Sequence, residues 1–336
     1  MPKENRGIES DILSSKLQEL KRSSDKKTKQ LIERVRQLEG QLEEIKEVKE
    51  VSTHRILPSR KGGNSEATAV VLASDWHYEE EVKAASVNGL NVYNLGIAKQ
   101  RVEQFFRTAV RITKVLSRDI EINTMVLALL GDFISNQIHE ELVEVNQLLP
   151  TEAISEVQNL IASGIEYLLR ELKVNLVVPC HHGNHSRITR KQRHATEAGH
   201  SLEFFMYHAL AAHFKGNPRV RFIISPSYHS YIEVYEWTIR FHHGHDVRYQ
   251  GGVGGLSIPL NKAIAQWNKG RKADLECLAH WHQFRDFGNA IVNGSLIGFN
   301  AYALSIKADF EKPKQAYFLI DRKRGKTMTT PVCFDM

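Results

Sequence analysis

Carboxylates, an amide and imidazoles gather at five places in this 336-residue chain where an apolar run gives way to a loop. The places are Ser74-Asp75-Trp76-His77, Leu130-Gly131-Asp132, Cys180-His181-His182-Gly183-Asn184-His185, His243-Gly244-His245-Asp246 and His280-Trp281-His282. Asp75 and His77, like His280 and His282, are spaced by two, which on an extended strand end puts both side chains on one side. Gly131 lets the backbone turn sharply beside Asp132. Taken singly, a Gly-Asp or Gly-His pair at a strand end is most often just a turn. Together the five present a mixed oxygen and nitrogen set. Such a set suits two divalent transition metals about 3.5–4 Å apart, a geometry that clamps a phosphoryl centre. Asn184 would add a neutral oxygen ligand, and His185 a group able to protonate a leaving oxygen.

Elements that position these residues are legible around them. Short β-branched runs predict strands over 69–73, 125–130, 174–179, 220–224, 231–236, 238–242, 275–279, 290–293 and 316–320. Helical periodicity predicts helices over 97–116, 152–171, 197–214 and 258–268. The mixture predicts a layered α/β domain over 67–336. Ahead of it, residues 51–66 contain Pro58, Gly62 and Gly63 and read as a linker. Residues 1–50 are dense in charge, with Leu13, Leu17 and Leu20, then Leu31, Val35, Leu38, Leu42 and Ile45, at steps of four and three. They predict a helical, coiled-coil-like arm with a stutter between the two runs. Its bland use is self-association into a homo-oligomer; its sharper use is as a basic arm for DNA.

Composition adds bounds. Hydrophobic residues are 42% and charged residues 25%, ordinary for a globular protein, and the formal net charge of +6 is compatible with a polyanionic partner. The three cysteines, Cys180, Cys277 and Cys333, form no CxxC pair and predict a reduced compartment. No apolar run has the length of a membrane span and the N-terminus is polar, so no membrane partner and a cytoplasmic setting, bacterial or in a phage-infected cell, are expected.

The series Asp75-x-His77, Gly131-Asp132, Gly183-Asn184-His185, His243-Gly244 and His280-x-His282 resembles, in order, the five motifs of the calcineurin-like metallophosphoesterase superfamily. The likeness runs from residue 67 to about 330. It implies a two-sheet α/β sandwich flanked by helices, with a dinuclear site on loops at the strand ends. It also implies that Asp75, His77 and His282 hold one metal and Asn184, His243 and His280 the other. Asp132 would bridge them, a hydroxide between the metals would attack, and His185 would be the leaving-group acid. Two Mn ions are the expected cofactors, with Fe, Zn or Ni also compatible. A narrower resemblance, to a phage and prophage branch, rests on Ser74–His77, on Asn88-Gly89-Leu90-Asn91-x-Tyr93-Asn94, on Ile138-His139-Glu140-Glu141-Leu142 and on Val292-Asn293-Gly294-Ser295-Leu296.

The chain departs from the family where acidic residues are common: Ser135 stands three positions after Asp132, and Ser186 follows His185. Glu140 or Asp246 are the acidic candidates left to orient His185. His182 and His245, with Asp246, read either as residues behind the ligands or facing substrate, or as surface groups. Arg187, Arg190, Lys191, Arg193 and Arg248, with His139, read either as a phosphate-binding groove or as a solvated helix start. Gly251-Gly252-Val253-Gly254-Gly255 reads as a mobile loop over the site. The leading expectation is a nuclease or other phosphodiesterase with nucleic acid as substrate. A phosphatase or cyclic-nucleotide phosphodiesterase, and an inactive nucleic-acid-binding scaffold, are the alternatives.

Overall fold

The computed structural model describes residues 53–59, 65–248 and 255–334, together with residues 16, 26–30, 33 and 36. Those last few are helical and exposed. The seam from Leu13 to Ile45 lies outside the described residues, as do 60–64 of the expected linker and Gly251–Gly254 of the expected loop.

Among the described residues from 54 onward there are twelve strands: β1 (His54–Ile56), β2 (Ala67–Ala73), β3 (Thr124–Leu129), β4 (Asn175–Cys180), β5 (Val220–Ile224), β6 (Ser230–Val234), β7 (Trp237–Phe241), β8 (Leu275–Leu278), β9 (Arg285–Asp286), β10 (Ala290–Val292), β11 (Lys314–Asp321) and β12 (Gly325–Cys333). They form two six-stranded sheets, ordered β1-β6-β7-β8-β10-β9 and β12-β11-β2-β3-β4-β5. In the second, β2 through β5 run parallel, and β11 pairs antiparallel with both β2 and β12. A strand covered on both faces needs apolar side chains at every position. β2, Ala-Thr-Ala-Val-Val-Leu-Ala, is buried throughout. Val70 and Leu72 meet Ile239, Phe241 and Phe318 between the sheets, while Ala69 and Val71 face the helices. This is the α/β sandwich expected from the sequence.

Three long helices cover the outer face of the second sheet: α1 (Leu95–Leu116), α3 (Pro150–Glu171) and α4 (Leu202–His213). The Asn94 side chain accepts the Ile97 N–H at 3.1 Å to cap α1. Pro150 opens α3, where its missing N–H costs nothing. The first sheet is covered by α5 (Ser257–Gly270), whose Leu260 and Ile264 pack with Val247, Leu278 and Val292. Two short helices, α2 (Glu140–Val145) and α6 (Ala301–Ser305), are the remaining α-helices among the described residues from 54 onward.

Where the structure differs from the sequence reading, the segments are short or polar. The helix expected over 197–214 is broken at Ser201, whose Oγ accepts the Phe204 N–H and starts α4 afresh. β12 carries Pro331 and alternating polar residues, which a sheet edge tolerates. Within the expected linker, His54–Ile56 instead forms β1, parallel to β6, because Ile56 buries itself between the sheets. A chain starting at Glu66 should therefore be less stable than one starting at Thr53, by about 1.5–3 kcal/mol for the lost Ile56 burial. Denaturant midpoints of the two chains check this; equal midpoints would show that β1 adds nothing.

Candidate metal centre

β2, β3, β4, β7 and β8 all end at their carboxyl termini in the loops that carry the suspected ligands. The side chains do not converge by strand pleat, as the two-residue spacings suggested. After β2, β3 and β8 they converge because the chain leaves the strand through left-handed residues. Asp75 (φ 52°), His77 (46°), Asp132 (53°), His280 (73°) and His282 (53°) all have positive φ. Non-glycine residues adopt this region rarely and at a cost, and it persists only where surroundings enforce it.

On one side, donor atoms of Asp75, His77 and His282 lie within 4.8 Å of one another. Asp75 Oδ2 is satisfied by the Ser74 hydroxyl at 2.7 Å and the His280 N–H at 3.1 Å. Its Oδ1 is buried with no hydrogen-bond partner. A hydrogen-bond chain fixes the tautomer of His77. The Ser135 hydroxyl donates to the Glu80 carboxylate (2.8 Å), so Ser135 Oγ must accept from His77 Nδ1 (2.8 Å). The His77 Nε2 lone pair is then turned inward, 3.2 Å from His282 Nε2. His282 Nε2 is also 3.5 Å from Asp75 Oδ1.

Across Asp132 the same logic repeats. His243 Nδ1 donates to the Leu130 carbonyl at 2.6 Å, which leaves Nε2 facing Asp132 Oδ2 at 2.9 Å and Asn184 Oδ1 at 3.2 Å. His280 completes a group with Asp132 and His243 within 4.8 Å. Asp132 also groups with His77 and His185, so it stands between the two clusters.

The donor set fits a pair of cations. Lone pairs crowd together at two points, and a buried anionic oxygen without a partner is costly. Protons take the place of positive charge here. His243 is pushed up to about 9: burial opposes its charge, but Asp132 outweighs burial. His282 is also raised, burial again being overcome, here by Asp75. Burial and neighbouring imidazoles hold His77 and His280 well below the usual range, neutral and with lone pairs available. The residues that would hold the cations are thus Asp75, His77 and His282 on one side, and Asn184, His243 and His280 on the other, with Asp132 shared.

Residues outside the predicted ligand set brace these loops. Glu203 is buried at the start of α4 and accepts the Phe133 N–H at 2.6 Å and the Gly183 N–H at 2.8 Å. It ties the Asp132 loop to the Asn184 loop, and burial followed by the charge of Asp132 raises it to about 7. Asn136 donates to the carbonyls of His185 and Arg187, both at 2.9 Å. Asn293 donates to Ser74 Oγ at 2.8 Å, behind Asp75. Tyr93 donates to the Trp76 carbonyl at 2.6 Å, and Asn91 to those of Ile297 and Phe299. Tyr93 and Asn293 thus support the Asp75 loop from behind. Glycine is required at Gly183, where a Cβ would lie 2.0 Å from Asp132 Oδ1.

The other predicted residues are distributed as follows. His185 sits at the mouth, its ring 4.7 Å from that of His77. Neither Glu140 nor Asp246 orients it. Its Nδ1 pairs with the Ser135 backbone carbonyl at 3.0 Å, so a main-chain oxygen holds the ring. Ser186 instead turns to Gly183 and Ser201. Asp246 is exposed, 3.7 Å from His194. His139 is exposed, with its ring 6.4 Å from that of His185. Arg187 is half-buried and donates to the Asn184 carbonyl, whereas Arg190, Lys191, Arg193 and Arg248 are exposed. His182 and His245 lie on either side of Glu197, at 3.7 and 3.4 Å, and so are not surface groups.

No family model and no curated protein matches the chain. Among solved structures it is similar to a Vps29 mutant from Entamoeba histolytica (13% identity, TM-score 0.30, 80% of this chain and 99% of that one). It is similar also to Vacuolar Protein Sorting 29 from Cryptosporidium parvum (14%, TM-score 0.32, 80% and 99%) and to a hypothetical protein from Pyrococcus horikoshii (12%, TM-score 0.39, 80% and 89%). At this distance only the side chains of the chain itself speak to chemistry.

Metal-free protein should show the proton on His243. Its stabilisation is complete below the ordinary value of 6.5 and is lost as pH rises through about 9. A cation must displace that proton, so binding should release protons at neutral pH and tighten as pH rises. Calorimetry with Zn²⁺ or Mn²⁺ in buffers of different ionisation enthalpy checks this; heats independent of buffer would contradict it. Gly183→Ala should weaken binding in the same titration, because Asp132 has nowhere to retreat.

Proposed function

We propose that the chain is a divalent-metal-dependent phosphoesterase, a calcineurin-like enzyme acting on phosphodiester bonds of nucleic acid. The observation that carries this reading is the pair of converging lone-pair clusters sharing Asp132, with His185 beside them. Two cations bound there would neutralise phosphoryl oxygens and acidify an attacking water. The chain itself does the rest. Asp132, held through Oδ1 by the His185 N–H at 2.8 Å, sets the spacing of the two clusters. His185, with Nδ1 committed to Ser135, keeps Nε2 for the substrate and as an imidazolium would give its proton to the leaving oxygen.

The nucleic-acid assignment is supported by position. The segment after His185 carries Arg187, Arg190, Lys191 and Arg193, and exposed Arg248 follows the His243 loop. Side chains reaching beyond a single phosphate suit a polymer backbone. The phage-type motifs support the same substrate class. We further propose that the N-terminal arm governs assembly through its heptad seam and leaves the chemistry alone.

Asp132→Asn should abolish hydrolysis of bis-p-nitrophenyl phosphate and of labelled linear DNA or RNA, assayed with Mn²⁺, while circular dichroism stays native. His185→Ala should retain metal and lose turnover by about 10²–10⁴-fold on alkyl leaving groups. The loss should shrink for p-nitrophenyl esters, which need less protonation. Equal losses on both would remove the acid role. Activity on phosphomonoesters alone would shift the reading to a phosphatase.

A further inference from the structure

A second group of metal-binding side chains lies on the opposite face of the first sheet, under α5. His229 just precedes β6, His242 just follows β7, and Glu276 lies on β8; their donor atoms are within 4.8 Å of one another. Strand register brings them together. Ser230 pairs with Phe241, so the residues just outside that pair, His229 and His242, face each other across the β6–β7 ladder. Arg240 pairs with Glu276 on β8, which puts Glu276 on the same outward face as Arg240 and His242. The ring of Trp267, from α5, roofs the group at 4.6 Å from His229 and 5.0 Å from His242.

Three ring nitrogens here are buried with no hydrogen-bond partner: His229 Nε2 and both nitrogens of His242. His242 is 0% exposed. Its Nε2 comes within 3.1 Å of Glu276 Oε1, but out of line for a hydrogen bond. Buried polar atoms normally find partners, and a cluster of orphans needs an occupant.

We propose that His229, His242 and Glu276 form a separate site for one transition-metal ion of the zinc type, structural in role and distinct from the metal centre. Arg240 sets the character of this site. Its Nε and Nη2 hold the two oxygens of Glu276 at 2.7 and 2.9 Å. Its other donors go to Tyr231 Oη, the Arg271 carbonyl and Asn268 Oδ1. Arg240 therefore aims Oε1 at the histidines, as outer-sphere partners of ligating carboxylates do. It also cancels the charge of Glu276. An ion entering must be held chiefly by imidazole nitrogen, which favours Zn²⁺, Cu²⁺ or Ni²⁺ and disfavours Mg²⁺, Ca²⁺ and Mn²⁺.

The test counts metal in full-length protein after loading with Zn²⁺ and removal of free ion. His229→Ala should lose about one zinc per chain, both in the native background and in an Asp75→Asn, Asp132→Asn double variant. Failure of the phosphoesterase reading is thus separable from failure of this one. With Co²⁺, a visible absorption band should vanish in His229→Ala, and diester hydrolysis should be unchanged. Equal zinc content with and without His229, in proteins with native circular dichroism, would overturn the proposal. So would a double variant that binds no zinc at all, which requires no change at His229.

Discussion

Acceptor crowding is the constraint around which the rest of the molecule is arranged. At the carboxyl ends of five strands, Asp75, Asp132, Asn184 and four imidazoles turn lone pairs toward two points. Several of their other polar atoms are engaged elsewhere: Asp75 Oδ2 with the Ser74 hydroxyl and the His280 N–H, His77 Nδ1 with Ser135, His243 Nδ1 with the Leu130 carbonyl. Lone pairs repel, and in a desolvated setting only positive charge brings them together. Protons on His243 and His282 supply it in the bare chain; two cations would supply it more fully.

Holding such a cluster requires stiffness, and the surrounding shell provides it. Five of the ligand-bearing positions are in left-handed backbone, a conformation that would relax if the loops were free. They are not free. Glu79, Glu80 and Glu203 are buried carboxylates whose oxygens accept from the Asn136 N–H, from Ser135 and Asn300, and from the N–H groups of Phe133 and Gly183. The segments after β2, β3 and β4 are thus tied together by buried carboxyl groups that would be costly to leave without partners. The sandwich beneath supplies the fixed frame, since β2, β3 and β4 are apolar on both faces and cannot slip register without exposing themselves.

Much of this was legible in the residues. Asp75, His77, Asp132, Asn184, His243, His280 and His282 were identified by type and by their place after apolar runs, and these seven are brought together. The strands near 69–73 and 125–130 were legible because buried parallel strands read as apolar runs. The braces were not. Glu203 looks like any glutamate in the first turn of a helix, and Asn136 like any turn asparagine. Their partners are main-chain groups, which carry no sequence signal. Edge strands β1, β9 and β12 were hidden for a related reason, being too short or too polar to show a period.

What the sequence by itself determined is the chemical inventory: which ligands exist, in what order, and between which strands and helices, because composition and periodicity are local properties. Only the tertiary structure decided how they meet. The sequence suggested that Asp75 and His77 converge by the alternation of a strand, whereas left-handed turns enforced by neighbouring loops do so. It offered Glu140 or Asp246 as acidic candidates to orient His185, whereas the Ser135 carbonyl holds it. It gave no hint that His229, His242 and Glu276 share a face, since their meeting depends on the pairing of three strands and the roof of Trp267. Such juxtapositions arise from register and packing between segments far apart in the chain, and no local pattern encodes them.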